Sequence, residues 1–257
     1  MGAVRLLLLG GISEAKKCAE ELCANFAETD HTLIYSLSGK GRRPHLDCEV
    51  RVGGFGGVAG LVDYISLNKI TMLLDSTHPY AVQISNNAQT AADAMDIPLW
   101  AYRRPPWTDE LQTNWMHYSR WSELMDLLKP FRSPFFSIGQ SPIEHIAEIP
   151  RSQHWTIRCA HKARPDVANH GAQYTVLESI GPFNLEKELA LFQTRKIDVL
   201  VTKNSGGNGV SAKLAAARQL DIPVCVLKRP SLAKAHREFD NIAVLMREIL
   251  YHSQLNR

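Results

Sequence analysis

Asp75-Ser76-Thr77-His78-Pro79 and Leu200-Val201-Thr202-Lys203-Asn204 decide how this chain is built, because they stand at the same point of two similar segments 125 residues apart. Carried forward without a gap, the displacement superposes Ala91-Ala92 on Ala216-Ala217. It also places Asp96-Ile97-Pro98 on Asp221-Ile222-Pro223, and Arg104-Pro105 on Arg229-Pro230. Each copy reads as an apolar strand, a polar loop, a helix, an Ile-Pro entry into another strand and a basic residue before a closing proline, which is the order of a parallel α/β unit. The chain is therefore expected to form two α/β lobes of Rossmann or flavodoxin type, with parallel sheets facing a central cleft. Loops leaving the carboxyl ends of such strands form the ligand crevice, so the His78 and Lys203 loops are the first candidates for chemistry.

Working outward from the repeats, the pattern predicts strands at 4–9, 31–37, 48–52, 70–75 and 97–102. Helices are expected over 13–25, 56–67 and 81–95, with Ser13 as a natural N-cap of the first. The stretch from Pro105-Pro106-Trp107 to Trp121 lacks periodicity and reads as a connector, followed by a short helix over 122–128. Strands are then expected at 135–138, 155–159 and 174–177, a helix over 185–196, the repeated unit over 197–228 and a closing amphipathic helix over 241–251. The boundaries follow: a first lobe over 1–106, a connector over 107–130 and a second lobe over 131–257 that includes the closing helix. Trp107, Trp115 and Trp121 are expected to pack rather than to line a site.

Composition bounds the class. With 257 residues, 45 % apolar and 21 % charged, the chain has material for two modest cores. The apolar run at Leu6–Leu9 is too short for a membrane span, so a first strand and a cytoplasmic protein with no membrane partner are expected. Five cysteines without a C-x-x-C pair indicate neither a disulfide framework nor a metal site, and reduced core residues are expected. A net charge of +3 is too small to argue for nucleic acid. The basic doublets Arg103-Arg104 and Lys228-Arg229 nevertheless recur at the same place in both repeats.

Leu9-Gly10-Gly11-Ile12-Ser13-Glu14 lies between a strand and a helix, where glycine lets backbone N–H groups approach a phosphate beside the helix N-terminus. It falls short of the full G-x-G-x-x-G pattern. The second strand ends in Ser36-Leu37-Ser38-Gly39-Lys40-Gly41-Arg42-Arg43, with three cations and no carboxylate for a ribose diol, which favours a 2′-phosphate and hence NADPH. Gly53-Gly54-Phe55-Gly56-Gly57 can bring more backbone against the same ligand, its bland reading being a hinge. Lys203 leads into Asn204-Ser205-Gly206-Gly207, suited to a carboxylate or phosphate. There is no nucleophile elbow, carboxylate pair or metal-binding His face, so the reaction is expected to be carried by a bound cofactor.

Taken together, Leu7 to Ala15, Arg51 to Gly57, Asp75 to Ala81, Arg104 to Trp107 and Thr202 to Gly207 resemble the precorrin-6A reductases of cobalamin biosynthesis, from the first strand to about Pro230. Ile12 replaces that family's usual threonine, and Ser76 and Tyr80 are milder departures. The resemblance implies hydride transfer from NADPH to the precorrin-6A macrocycle, reducing one ring D double bond to give precorrin-6B. It implies nucleotide contacts from Gly10, Gly11, Ser13, Ser38, Gly39, Arg42, Gly53, Gly54, Phe55 and Gly56. Substrate contacts would come from Thr77, His78, Tyr80, Arg104, Lys203, Ser205, Gly206, Gly207 and Arg229, the macrocycle lying between lobes. His78 is the candidate proton donor, with water an equal alternative. The cobalt-containing substrate of the anaerobic branch is the neighbouring reading. A non-catalytic two-lobed binding protein is the remote one.

Overall fold

The computed structural model describes residues 3–39, 43–108, 114–160, 173–207 and 212–255. It consists of two compact units, residues 1–105 with 230–257, and residues 106–229. The first contains strands β1 (Arg5–Leu9), β2 (Thr32–Leu37), β3 (Glu49–Val52), β4 (Met72–Asp75) and β5 (Leu99–Tyr102), with helices α1 (Ser13–Phe26), α2 (Gly57–Leu67) and α3 (Val82–Met95). The second contains β6 (Trp115–Tyr118), α4 (Trp121–Leu128), β7 (Pro134–Phe136), a 3-10 helix (Ser141–Glu148), β8 (His154–Cys159), β9 (Gln173–Glu178), α5 (Leu185–Thr194), β10 (Val199–Lys203), α6 (Ala212–Gln219) and β11 (Val224–Leu227). β12 (Arg237–Phe239) and α7 (Ile242–Leu255) close the chain and belong to the first unit.

Both sheets are six-stranded and parallel, in the orders β12-β5-β4-β1-β2-β3 and β6-β11-β10-β7-β8-β9. Each is the doubly wound order in which the chain runs outward from a central strand in both directions. The sixth strand of each sheet comes from the chain that follows the fifth strand of the other: β6 follows β5 but pairs with β11, and β12 follows β11 but pairs with β5. Two expectations are thereby corrected. The segment read as a connector carries an edge strand of the second sheet, and residues 230–257, read as the end of the second lobe, complete the first. β12 is held by ladder bonds to β5, by Arg103 N–H donating to Phe239 O at 2.7 Å, and by α7 packing Leu245, Met246 and Ile249 on the face that also takes α1.

Continuous apolar strands such as Leu6–Leu9 are buried on both faces. Leu6 and Leu8 pack with α1 and α7, and Leu7 and Leu9 with α2 and α3. Phe136 and Phe135 divide the same way in the second unit. Trp107, Trp115 and Trp121 pack against this unit's cores.

The ladders also correct the register of the repeat. Leu73 donates to Pro98 O at 2.9 Å and Leu200 to Pro223 O at 3.0 Å, so these leucines are equivalent although 127 positions apart. The left-handed Lys69 (φ 51°) and Lys196 (φ 50°) share that spacing, whereas the left-handed helix ends Asp96 (φ 51°) and Asp221 (φ 53°) keep 125. The second copy therefore has two residues fewer between its fourth strand and its Asp-Ile-Pro turn. Thr202 consequently corresponds to Asp75, Lys203 to Ser76, and Ser205 to His78. The ungapped pairing of His78 with Lys203 does not survive.

Candidate active site

In the first unit, three segments meet at the carboxyl edge of β1 and β4, where the strand order reverses. The first is the Gly10-Gly11 turn. A Cβ at Gly10 would lie 2.4 Å from the Tyr35 ring, so only glycine passes over that buried side chain. The Tyr35 hydroxyl accepts from the Gly11 N–H, and burial pushes its pKa up to about 12. A Cβ at Gly11 would stand 3.8 Å from His78 N, which sets the glycine turn directly beside the His78 loop.

That loop is organised by Asp75. Its fully buried carboxylate accepts from Thr77 N at 3.1 Å, Thr77 Oγ1 at 2.7 Å, Ser85 Oγ at 2.7 Å and Arg103 Nη1 at 2.7 Å. A buried charge persists only when paired and hydrogen-bonded, and here both oxygens are occupied. The Thr77 hydroxyl is thereby turned inward, holding the loop. His78 remains half-buried, its carbonyl accepting from Ala81 N at 2.7 Å and its Nδ1 accepting from Tyr80 N at 3.3 Å. With Nδ1 an acceptor, the neutral ring carries its proton on Nε2.

Ser13 is the first residue of α1, and Ile12 occupies the N-cap position without a side-chain bond, so the expected serine cap is not formed. Ser13 Oγ donates instead to Glu14 Oε2 at 2.9 Å. Arg104 closes this end of the site by pairing with Glu14 and reaching Ser13 Oγ at 3.4 Å. Burial opposes ionisation of Glu14, but bonds from Arg104, its own backbone and Ser13 hold its carboxyl below the usual range. Arg104 thus stands on the first turn of α1, while its neighbour Arg103 is engaged with Asp75 and Glu238.

The Gly53–Gly57 run is held in place. Arg51 donates to the carbonyls of Gly53 at 2.5 Å and Gly54 at 2.8 Å, with its guanidinium 3.7 Å from the Phe55 ring centre. Gly53 (φ 119°) and Gly56 (φ 82°) adopt left-handed backbone, and nothing lies within 4 Å of where a Cβ on either would sit. Ser38 and Gly39 follow β2, with Gly53 N donating to Leu37 O at 2.8 Å. Arg42 lies outside the described residues, as does Lys40; Arg43 is exposed and donates to Val50 O at 3.2 Å. The open, glycine-lined backbone beside the strand-order reversal of this sheet fits a dinucleotide cofactor.

The other sequence candidates gather within the second unit. Asn204 exchanges two hydrogen bonds with the Trp107 backbone, at 2.8 and 2.9 Å. Trp107 Nε1 donates to Gly207 O at 2.9 Å, and Arg229 Nε to Asn204 O at 2.7 Å. Lys203, Ser205, Gly206 and Gly207 therefore form a loop whose backbone is stapled by Trp107 and Arg229. Close by lies a buried set that sequence reading missed. Arg158 makes a two-pronged pair with Glu188 at 2.7 and 2.6 Å, and Lys213 donates to Ser137 Oγ at 2.9 Å. The one signal available was a lysine on the otherwise small, apolar buried face of α6, at the position Ala88 holds in α3.

Two units with the strand order of dinucleotide-binding folds, one presenting a glycine turn beside a buried-carboxylate loop, place this chain among α/β proteins of the dinucleotide-binding type. The family model for precorrin-6x reductase CbiJ/CobK matches residues 5–249, and the chain belongs to that family. It is 38 % identical over 241 residues to the precorrin-6A reductase of Rhodococcus erythropolis, covering 93 % of this chain and 94 % of that one. Against the Rhodobacter capsulatus precorrin-6A reductase the identity is 33 %, covering 89 % of each. The Priestia megaterium cobalt-precorrin-6A reductase is 24 % identical, with 88 % of this chain and 91 % of that one covered. A solved structure of CobK precorrin-6A reductase superposes with a TM-score of 0.83 at 30 % identity over 97 % of both chains.

Proposed function

We propose that this chain reduces metal-free precorrin-6A with NADPH, adding a hydride and a proton across one ring D double bond to give precorrin-6B. The observation that carries this reading is the family match across residues 5–249, which contains every loop described above. Identities of 33–38 % to chains named for the metal-free substrate, against 24 % or less to those named for the cobalt form, support the aerobic substrate. No helix among the described residues is long and apolar enough to cross a membrane.

The nucleotide is held through Gly10, Gly11, Ser13, Ser38, Gly39 and the Gly53–Gly56 run, with Arg42, outside the described residues, as the partner proposed for the 2′-phosphate. When bound, the cofactor supplies the hydride. The chain supplies position and charge. Asp75 fixes the His78 loop against the glycine turn, so that reacting atoms are pre-oriented. His78 in its imidazolium form is the proton donor to the carbon that does not receive hydride, returning to neutral imidazole as it gives the proton up. Thr77 acts by positioning this loop. Lys203, Ser205, Gly206, Gly207 and Arg229 take substrate carboxylates through charge-assisted bonds, as Arg104 and Tyr80 do in the first unit.

Anaerobic stopped-flow absorbance of the purified chain with precorrin-6A tests the reading. Coupled loss of NADPH and a shift of the macrocycle band are expected, with NADH much slower. Binding without nicotinamide oxidation would move the assignment to the cobalt form, and equal rates with NADH would remove the 2′-phosphate contact. His78→Ala is expected to lower single-turnover reduction on the order of a hundredfold, with macrocycle affinity retained. Near-normal turnover in that variant would hand the proton step to water.

A further inference from the structure

A pocket of about 230 Å³ opens at the carboxyl edge of the second sheet, lined by Ser137, Gly139, Arg158, Ser179, Phe183 and Lys213 among others. Its position mirrors the nucleotide end of the first unit, since β7 stands in the place of β1 and Gly139 (φ 80°) in the place of Gly11. Its chemistry differs. Ile138 replaces Gly10, so the turn cannot bring its backbone as close, and the volume is below the roughly 300–1,000 Å³ of whole-ligand pockets.

Among the described residues, positive charge gathers around this pocket. The charges of Arg158 on β8 and Lys203 on β10 act against the Lys213 ammonium on α6, while the Glu188 carboxylate on α5 favours it. Glu188 is consumed by its two-pronged pair with Arg158. Ser137 Oγ accepts from Lys213 and gives its own hydrogen to Val201 O at 3.1 Å, fixing the ammonium without neutralising it. Lys213 has three donors and, among the described residues, this one hydrogen bond. Buried ammonium groups are paired or they surrender their proton.

We propose that this pocket receives a carboxylate carried on a short aliphatic stem, held by the Lys213 ammonium, with Ile180 and Phe183 lining the stem. Resting on the reading that the substrate is a polycarboxylate macrocycle, the occupant is one of its acetate or propionate arms. A single arm fits where a cofactor does not. Lys213 is then a specificity residue, and the second unit anchors substrate at a point beyond the Lys203 loop.

The test uses the full chain with ¹³C-labelled lysine side chains, the Lys213 resonance being assigned by its loss in Lys213→Met or Lys213→Arg. Added propionate is expected to shift that resonance and raise its titration midpoint, with inorganic phosphate at the same concentration doing neither. Precorrin-6A is expected to move it likewise, and Lys213→Met to raise KM for the macrocycle about tenfold with the loss falling on KM rather than kcat. An unmoved resonance with propionate, or an equal response to phosphate, overturns the carboxylate site. Macrocycle that is bound and reduced without moving Lys213 overturns this inference and leaves the proposed function intact. Propionate that moves Lys213 in a chain unable to bind the macrocycle supports the site and removes the proposed function. Should Lys213→Met not fold, the resonance in the unsubstituted chain still decides.

Discussion

Asp75→Ala is expected to lower stability by about 3 kcal/mol and to slow hydride transfer roughly a hundredfold, because it strips four donors of their acceptor at once. Thr77 and Ser85 are buried and cannot turn to water, and Arg103 keeps Glu238 as its remaining carboxylate. The magnitude stays moderate because the Arg103 side chain is 21 % exposed and its charge is partly solvated. Function suffers as well as stability. Without the Thr77 bonds the His78 loop loses its fixed approach to the Gly10-Gly11 turn, and a displacement of about 1 Å there is worth roughly a hundredfold in rate. Urea unfolding and single-turnover reduction measure the two effects. A variant with wild-type midpoint and wild-type rate would show that Asp75 is neither a structural nor a positioning residue. Asp75→Asn, which keeps the shape but not the charge, is expected to fall between the two.

Glu188→Ala is expected to cost the second unit about 3–5 kcal/mol, a large part of a domain's roughly 5–15 kcal/mol. The change leaves Arg158, packed between Phe135 and Phe183, as a buried guanidinium without its carboxylate, next to Lys213. Adding Lys213→Met removes one of the two stranded cations, so the double variant is expected to be more stable than the sum of the singles, the excess being the coupling between these sites. The same cluster makes stability depend on pH. Burial, with the Arg158 and Lys203 charges, depresses Lys213 from 10.5 to about 7, while Glu188 pulls the other way. Between those values the unfolded chain binds the proton that the folded chain has released. Stability therefore climbs with pH from about 7 to about 10.5, by at most about 1.4 kcal/mol per pH unit, and below about 7 the cost of the buried charge is fully present. Lys213→Met is expected to flatten that climb in denaturant midpoints measured across the window. Glu188→Ala extends it to lower pH by removing the charge that favours the ammonium. Midpoints that move in parallel for all three proteins would exclude Lys213 as the titrating group.

The sequence by itself determined what depends on neighbours in the chain. Leu6–Leu9 and Val199–Val201 read as buried parallel strands because they are apolar without alternation. Asp96-Ile97-Pro98 and Asp221-Ile222-Pro223 marked the two copies because a left-handed helix end and a proline entry are local requirements. The glycine turn after β1 and the Gly53–Gly57 run were legible for the same reason, and the resemblance carried by five ordered motifs gave the family. Only the tertiary structure decided what depends on pairing across the chain. β6 and β12 are edge strands of four and three residues, too short to declare themselves, and nothing in their composition says which sheet they join. The two-residue slip between the repeats is fixed by ladder bonds such as Leu73 to Pro98 and Leu200 to Pro223, whereas an ungapped comparison of letters had aligned Thr77 with Thr202. The partnerships of Asp75 with Arg103, Arg158 with Glu188 and Lys213 with Ser137 join residues 28, 30 and 76 positions apart. Each is a charge whose burial becomes affordable only once the fold brings its partner, and so no stretch of sequence shorter than the fold could announce it.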